Sequence, residues 1–204
     1  MKLYDSIGPN PQIVRTFAAE KGVTLERVPV DILGGENRGD AFRAINPMGQ
    51  LPALETAEGQ VVTEVTAICE FIEDLHPQPA LIGNTPAERA ETRMWVRRFD
   101  LGVLEPYMLG FRATAGRAFF EKRMTLLSAE AGAEVIGLLN GNLRHFDGLL
   151  AGRQWVCGER FSLADITLGA FLLFARANRA PLPDGLSWIP GFLDRCAARP
   201  SFSA

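Results

Sequence analysis

Residues 46–66, NPMGQLPALETAEGQVVTEVT, decide how the rest of the chain is read. Their first four residues favour a turn, and two short strands follow, separated by a second turn at Gly59. Pro52 lies where the first of these strands should begin. Because proline has no N–H to give to a sheet, it is found at a strand's first residue or on an edge strand. A helix is predicted to open at Glu64, directly after the second strand.

This stretch also indicates a binding site. The Leu51–Pro52 bond is a candidate for the cis isomer, which is found almost only before proline and mostly in tight turns. We expect such a bond to leave the N–H and C=O of Leu51 facing outward, where an extended peptide can pair with them as an extra strand. The helix N-terminus at Glu64 attracts a carboxylate. Together these features predict a site for a small peptide with a free carboxylate.

Composition sets broad limits on function. The chain has 204 residues, 47% hydrophobic and 22% charged, as is ordinary for a globular protein. A net charge of −3 gives no electrostatic case for nucleic-acid binding. No apolar run approaches the ~18 residues of a membrane span, and the N-terminus has no apolar core typical of a signal peptide, so we expect a cytoplasmic protein without a membrane association. Three scattered cysteines without a Cys-x-x-Cys pair argue against a disulfide framework or a metal site.

The first 77 residues alternate strand and helix signals. Asn10 and Pro11 are favoured N-cap and N1 residues, and they predict that the first helix begins at Pro11. Pro29 marks its strand as an edge strand. The predicted elements are strand 2–5, helix 11–21, strand 25–30, a helical turn 41–45, the two strands of the opening stretch and helix 64–75. The order indicates a small mixed sheet with helices packed against it.

Beyond residue 77 the pattern becomes helical. A proline-containing linker is predicted over 78–85, and Thr85 with Glu88 forms a capping box at the next helix start. The predicted helices are 86–112, 117–150 with a possible break near Gly132 or Gly141, 163–177 and 189–198. The third of these is apolar nearly all round, which predicts a buried central helix. We assign Ser162 and Asp165, at its start, to capping.

Four motifs in this order resemble the cytosolic glutathione transferase family, along nearly the whole chain. They are residues 46–54, 64–68, 162–165 and 199–201, and the bacterial members are the nearest in pattern. The resemblance implies an α+β thioredoxin-like domain at 1–77, with a mixed four-stranded sheet, then an all-α helical-bundle domain at 86–204. It further implies glutathione as co-substrate with no other cofactor, a small apolar electrophile bound between the domains, and a homodimer.

The chemistry of that family is attack by a thiolate. A free thiol has a pKa of ~8.5, and lowering it by about two units needs ~2.7 kcal/mol of stabilisation. A helix N-terminus and one donor side chain can supply this. Asn10 occupies the place where bacterial cysteine-type members carry Cys, and Pro9-Asn10 resembles the loop of the Nu-type members. We therefore take Asn10 as the candidate donor to the sulfur, with capping as an alternative or additional role, and Ser6 as the second candidate.

The resemblance assigns six residues to glutathione: Gln50, Leu51, Pro52, Glu64, Val65 and Thr66. Leu51 and Pro52 provide the backbone dock, Glu64 contacts the γ-glutamyl group, and Gln50 is a candidate for the glycyl end. Val65 departs from the family, which usually has Ser there. The backbone N–H of Val65 and the hydroxyl of Thr66 are expected to bind the γ-glutamyl carboxylate instead.

The electrophile side is predicted late in the first long helix, after Pro106. The candidates are Tyr107, Met108, Phe111 and Arg112, for which ordinary packing between helices is the alternative. Three functions stay open at this point: glutathione transfer to an apolar electrophile, glutathione-dependent peroxidase or disulfide reductase chemistry at the same site, and a non-catalytic binding or scaffold protein of the same fold.

Overall fold

The computed structural model describes all 204 residues, and its first part is built on a four-stranded sheet of order β2-β1-β3-β4. The strands are β1 (Lys2–Asp5), β2 (Glu26–Pro29), β3 (Ala53–Glu55) and β4 (Val61–Thr63). β1 runs parallel to β2 and antiparallel to β3, and β4 pairs antiparallel with β3. The mixed sheet predicted from the sequence is therefore confirmed, with β2 at an edge.

Helices cover both faces of this sheet. They are α1 (Pro9–Glu20), α2 (Asp40–Ile45) and α3 (Val65–Leu75). The faces of α1 and α3 that carry Phe17 and Ile68 pack with Leu3 and Leu54 of the sheet in one large core. On the other face a small cluster of Val30, Phe42 and Leu51 lies beneath α2. Leu51 is thus held by its side chain while its backbone lies at the strand entrance.

The start of α1 differs from the prediction. The helix begins at Pro9, and its N-cap is Gly8, whose φ of 122° suits glycine. Asn10 therefore lies inside the first turn and does not cap the helix. The local sequence offers two prolines, Pro9 and Pro11, that could each occupy a first-turn position, and the backbone at Gly8 selects the earlier one.

The remainder of the chain is helical. Its helices are α4 (Pro86–Phe99), α5 (Glu105–Ala113), α6 (Arg117–Phe120), α7 (Ala129–Leu150), α8 (Leu163–Ala177) and α9 (Ile189–Ala197), with a short 3₁₀ segment at Pro200–Ser203. A π-helical turn, Asp100–Leu104, joins α4 to α5, so the single helix predicted over 86–112 is three segments.

The helix predicted over 117–150 is interrupted at a different place from the one expected. The chain leaves helix after Phe120 and re-enters it at Ala129, and no break occurs at Gly132 or Gly141. Ser128 is the N-cap of α7, and its Oγ accepts a hydrogen bond from the N–H of Ala131 at 3.1 Å. The loop before Ser128 carries Arg123, which contacts the N-terminal domain.

α8 is the buried centre of the helical domain, as predicted. Its capping box is present: Asp165 Oδ2 accepts from the Ser162 N–H and from Ser162 Oγ, both at 2.9 Å. Asp165 Oδ1 also accepts the N–H of Val156 at 2.7 Å. Burial raises the pKa of Asp165 to about 6, and these hydrogen bonds offset only part of that rise. Since α8 also packs against α1, this anchored helix joins the two domains.

A buried ion pair fixes the connection between the domains. Lys21 Nζ and Glu73 form a salt bridge in which the two side chains are 0% and 2% exposed. Lys21 also donates to the carbonyl oxygens of His76 and Pro79, and Glu73 accepts the N–H of Ile82 at 2.8 Å. Residues around the predicted linker are therefore held against α1 and α3.

Candidate active site

Three chain segments meet at one end of the sheet. Tyr4 lies opposite Ala53, and Ala53 lies opposite Thr63. Because β3 is antiparallel to both neighbours, its first residue lies beside the last residues of β1 and β4. Three segments therefore lie close together at this end of the sheet: the loop that leads into α1, the Leu51-Pro52 pair and the N-terminus of α3. These segments carry the candidate glutathione-binding and sulfur-binding residues.

The entrance to β3 has the expected backbone. The Leu51–Pro52 peptide bond is cis, and neither the N–H nor the C=O of Leu51 forms a hydrogen bond within the protein. The preceding turn is held by two buried asparagines: Asn46 Nδ2 donates to the carbonyl of Gln50 at 2.7 Å, and Asn37 Nδ2 donates to that of Gly49 at 2.6 Å. The Leu51 backbone groups are thus unpaired on a fixed support. The Gln50 side chain is exposed and unbonded.

The segment after β4 carries an unusual backbone. Glu64 is the N-cap of α3 and has φ 67° and ψ 125°, a region that non-glycine residues adopt at a cost of about 1–3 kcal/mol. Its side chain is exposed and makes no hydrogen bond. The helix therefore starts at Val65 rather than at Glu64. The N–H groups of Val65 and Thr66, in the first turn, lack intrahelical acceptors.

Thr66 also borders a cavity of about 100 Å³ between α3, α4 and α8. Arg97 and Asp100 line it as well, and burial raises the pKa of Asp100 while Arg97 lowers it. A third wall residue, Arg93, is bound to Glu70 by two hydrogen bonds of 2.7 and 3.0 Å, and so is already paired. Polar groups beyond those predicted thus lie beside Thr66, and they come from α4 and from the π-helical turn.

Asn10 has a distinctive position at the N-terminus of α1. Pro9 and Pro11 have no N–H, and the N–H of Gln12 donates to Gly8 at 3.4 Å. The backbone N–H of Asn10 is consequently the first-turn donor left without an acceptor, and its side-chain amide is also unbonded. Asn10 therefore provides two free hydrogen-bond donors at this end of the helix, its backbone N–H and its side-chain amide.

The Ser6 hydroxyl is engaged elsewhere. Its Oγ donates to the carbonyl of Val30 at 2.8 Å. Val30 follows β2, which lies on the opposite side of β1 from β3 and therefore from the Leu51 dock. Between the two sulfur candidates, the geometry favours Asn10, because the Ser6 proton is already used.

The four electrophile-side candidates lie on α5. Tyr107 stacks on Phe111 with ring centroids 5.9 Å apart and an interplanar angle of 3°. Tyr107 as a whole is 7% exposed, and its hydroxyl is buried without a hydrogen-bond partner. Met108 and Phe111 are partly buried against the main core. Packing explains Met108, whereas Tyr107 keeps an unpaired polar group.

Arg112, the last candidate, also lacks partners. Its guanidinium lies over the ring of Phe120, with Cζ 5.5 Å from the ring centroid, and its buried Nε has no acceptor. It forms neither a hydrogen bond nor a salt bridge. Burial lowers the pKa of Arg112, Glu105 raises it and Arg38 lowers it further. A buried donor without an acceptor costs about 1–3 kcal/mol, more if it is charged, so this arrangement calls for a ligand or a function.

Comparison with known proteins agrees with this architecture. Residues 7–75 match the family model "Glutathione S-transferase, N-terminal domain", and residues 120–200 match "Glutathione S-transferase, C-terminal domain". Glutathione S-transferase 2 of Saccharomyces cerevisiae is 33% identical over 98% of this chain and 87% of its own length. The chain belongs to the glutathione S-transferase family.

Two further relatives show the range of this family. The crystal structure of a glutathione S-transferase domain-containing protein from Marinobacter aquaeolei VT8 superposes with a TM-score of 0.91 at 34% identity, covering 99% of this chain and 100% of that one. Elongation factor 1-gamma of Carassius auratus is 30% identical over 95% of this chain but only 42% of its own length. The family predicted from four motifs is confirmed, whereas the likeness of Pro9-Asn10 to the Nu-type loop stays a prediction.

One contact between the two domains was not predicted from the sequence. The loop after α6 is tied to the N-terminal domain by Arg123, whose guanidinium donates to the carbonyl oxygens of Ile32, at 2.5 Å, and Leu33. Arg38 donates in return to the carbonyl of Arg123. The Arg123 guanidinium also stacks on Phe119, 3.7 Å from the ring centroid. We call this reciprocal contact the Arg123 strap; no local pattern signals it, because its partners are distant backbone carbonyls.

The protein has no exposed thiol. Cys69, Cys157 and Cys196 are buried, and burial raises the pKa of each thiol. No cluster of three or more metal-binding side chains is present. No helix has both the length and the apolar character needed to cross a bilayer.

Proposed function

We propose that this glutathione S-transferase binds glutathione across the start of β3, activates it as a thiolate and transfers it to an electrophilic carbon of a largely apolar acceptor. One observation supports the proposal above the others. Three groups lie at one end of the sheet: the unpaired backbone of Leu51, the N-terminus of α3 and the free donors of Asn10. Their separate chemistries match the parts of one tripeptide.

In this proposal the cysteinyl residue of glutathione pairs with the N–H and C=O of Leu51 as an added strand. The γ-glutamyl carboxylate accepts hydrogen bonds from the N–H groups at the start of α3 and from the hydroxyl of Thr66. The Thr66 hydroxyl takes the role of the serine hydroxyl that the family usually has at the position of Val65. Glu64 supplies a carboxylate for the γ-glutamyl ammonium group. Gln50, exposed on the preceding turn, contacts the glycyl end.

Asn10 is proposed to stabilise the thiolate. Its backbone N–H and side-chain amide are both available, so one residue offers two donors at the positive end of α1. Hydrogen bonds to a charged acceptor contribute about 1.5–3 kcal/mol each, which is on the scale of the ~2.7 kcal/mol needed to lower a thiol pKa by about two units. Asn10 cannot form a mixed disulfide, so the sulfur of glutathione is the only nucleophile required.

The transfer step is balanced without a cofactor. With a chloroaromatic acceptor, the thiolate attacks the carbon that bears chlorine, the new C–S bond forms, and chloride leaves with its electron pair. The thiol proton is released to solvent when the thiolate forms. The protein contributes by lowering the thiol pKa and by holding the acceptor beside the sulfur.

The test is a pair of measurements on purified protein. Calorimetry with glutathione measures binding, and the ultraviolet absorbance of the bound thiolate against pH gives the thiol pKa. We expect Asn10→Ala to raise that pKa by about one unit and to lower kcat/KM about tenfold at neutral pH, because the backbone donor remains. Ser6→Ala should change the pKa little, and Asn84→Ala, at an exposed site, serves as the control. Absence of glutathione binding at millimolar concentration would refute the proposal and favour a scaffold role.

Reduction is the second enzymatic candidate at this site. All three protein thiols are buried, so peroxidase or disulfide reductase chemistry would have to use glutathione alone. Parallel assays with a chloroaromatic acceptor, a hydroperoxide and a glutathione mixed disulfide separate the two activities. We expect the chloroaromatic acceptor to be the best substrate, because the aromatic side chains of α5 and α6 favour a planar apolar ring.

A further inference from the structure

We infer that the acceptor carries an anionic group, a carboxylate being the simplest, and that Arg112 binds it. The acceptor is then an aromatic or unsaturated carboxylate rather than a purely apolar molecule. This inference rests on the proposed function for the reaction, but it concerns a binding preference that can be measured without glutathione.

Arg112 has no counter-ion within the protein. Arg112 has five N–H donors, and none of them finds an acceptor in the protein, although its Nε is fully buried. Glu105 is near enough to influence Arg112, but the two form no salt bridge. Arg123, which also stacks on an aromatic ring beside the domain boundary, differs because it donates to the carbonyl oxygens of Ile32 and Leu33.

Positive charge is in excess around Arg112. Arg38, on the N-terminal domain, lowers the pKa of Arg112 by charge repulsion. Arg123, in the strap that joins Arg38 to the helical domain, has backbone carbonyls as its hydrogen-bond acceptors and no carboxylate. Three guanidinium groups therefore gather where the domains meet, with Glu105 as the acidic residue that acts on Arg112. Such a cluster attracts and orients an anion.

Aromatic rings surround Arg112 on one side. Phe120 links Arg112 to the aromatic stack: its ring packs edge-on against Phe111 at 6.2 Å, and Phe111 stacks on Tyr107. The Tyr107 hydroxyl is a second buried group without a partner on the same helix. Flat apolar surfaces beside unpaired donors suit a planar ring that carries a charged substituent.

Two matched pairs of probes test the inference. Dinitrobenzoate and dinitrobenzamide, which lack a leaving group, are compared by calorimetry without glutathione. The chlorodinitrobenzoate with chlorine para to the carboxylate, and the corresponding carboxamide, are compared in the conjugation assay. The members of each pair have the same ring and differ in charge, so a difference between them reports recognition of the anion.

We expect the wild type to prefer the carboxylate about 10- to 100-fold in binding and in kcat/KM relative to the amide. Arg112→Met should abolish the preference, because binding and kcat/KM fall far more for the carboxylate than for the amide. Arg112→Lys should restore part of the preference, and Arg144→Met, at an exposed site on α7, should leave it unchanged. Equal binding of the two unreactive probes by the wild type, or an unaltered preference in Arg112→Met, would overturn the inference. The wild type could instead conjugate neither chlorinated probe and still bind dinitrobenzoate more tightly than dinitrobenzamide. That result would count against the proposed function and would support the anion site.

Discussion

The side-chain amide of Asn37 donates from Nδ2 to the carbonyl oxygen of Gly49 at 2.6 Å, and this contact joins the segment before α2 to the turn that leads into the Leu51 dock. Gly49 has a φ of 63°, and a Cβ placed there would approach the carbonyl of Asn37 within 2.8 Å. The glycine and the asparagine thus fit each other closely. Together they determine where the backbone of Leu51 is presented.

Removal of this contact should weaken glutathione binding from a distance. We expect Asn37→Ala to raise the Kd for glutathione about three- to tenfold and to lower the free energy of unfolding by about 1–3 kcal/mol, because the Gly49 carbonyl loses its donor. Calorimetry and urea denaturation measure the two effects. The exposed Gln154→Ala provides a matched amide deletion. An unchanged Kd in Asn37→Ala would show that the turn keeps its position without the contact.

The Arg123 strap should control the mobility of the loop between α6 and α7. We expect Arg123→Ala to increase the rate of thermolysin cleavage within residues 121–128 about five- to tenfold, since the loop loses its hydrogen bonds to the N-terminal domain. Lys122→Ala is the matched control, because Lys122 is next to Arg123 in the chain and its side chain is exposed and forms no hydrogen bond. Equal cleavage of the two variants would mean that the strap does not hold the loop in solution.

The buried pair Lys21–Glu73 should be sensitive to removal of one partner. Lys21→Met leaves Glu73 charged and uncompensated among buried groups, and we expect a loss of about 3–5 kcal/mol in the free energy of unfolding. Denaturant unfolding measures this. The control is Arg89→Met, which breaks a pair with Asp74 on an exposed surface and should cost within about 1 kcal/mol. Similar losses in the two variants would contradict the structural role assigned to the buried pair.

Asp165 should make stability fall as pH rises through the mildly acidic range. Its folded pKa of about 6 lies above the ~3.9 of an unfolded aspartate, so the folded state binds the proton more tightly. That contribution is complete below about pH 4 and is lost as pH rises through 6, a change of about 3 kcal/mol. Carboxylates with lowered pKa, such as Glu20 and Asp147, act in the opposite direction.

The prediction for Asp165 is therefore tested as a difference. The free energy of unfolding of the wild type minus that of Asp165→Asn should decrease between pH 4 and 6.5, the range set by the two pKa values. Asp194→Asn, at an exposed carboxylate, should run parallel to the wild type. A constant difference between the wild type and Asp165→Asn would show that Asp165 does not titrate in this range.

Much of the sheet and its site could be predicted because the deciding signals are local. Pro52 after Leu51, the turn at 46–49 and the capping box at Ser162 each act within a few residues. The same property explains one error. Pro9 and Pro11 give equivalent local signals for a helix start, so the sequence did not reveal that Asn10 lies inside the helix.

The electrophile side was harder to predict because its features depend on distant contacts. Arg123 binds carbonyl groups about ninety positions earlier in the chain, and backbone acceptors leave no trace in the residue types. The lack of an acceptor for Arg112 is likewise a property of its surroundings, since arginines such as Arg93 and Arg199 do form salt bridges. Sequence alone named Arg112 as a candidate, but only the structure showed that it has no internal acceptor.

Quaternary structure provides the last prediction. Met94 and Leu101 are 41% and 59% exposed and lie two helical turns apart along α4 and the π-helical turn that follows it. Exposed apolar side chains at that spacing on one helix favour a contact with a second copy of the chain. We expect a homodimer, and we expect Met94→Glu combined with Leu101→Glu to give a monomer, because association would bury two carboxylates. Sedimentation equilibrium measures the mass directly.

The matched control places glutamate at Leu138 and Leu149, which are also exposed but lie on α7, and this variant should remain dimeric. A dimer that survives the α4 changes and dissociates with the α7 changes would move the interface to α7.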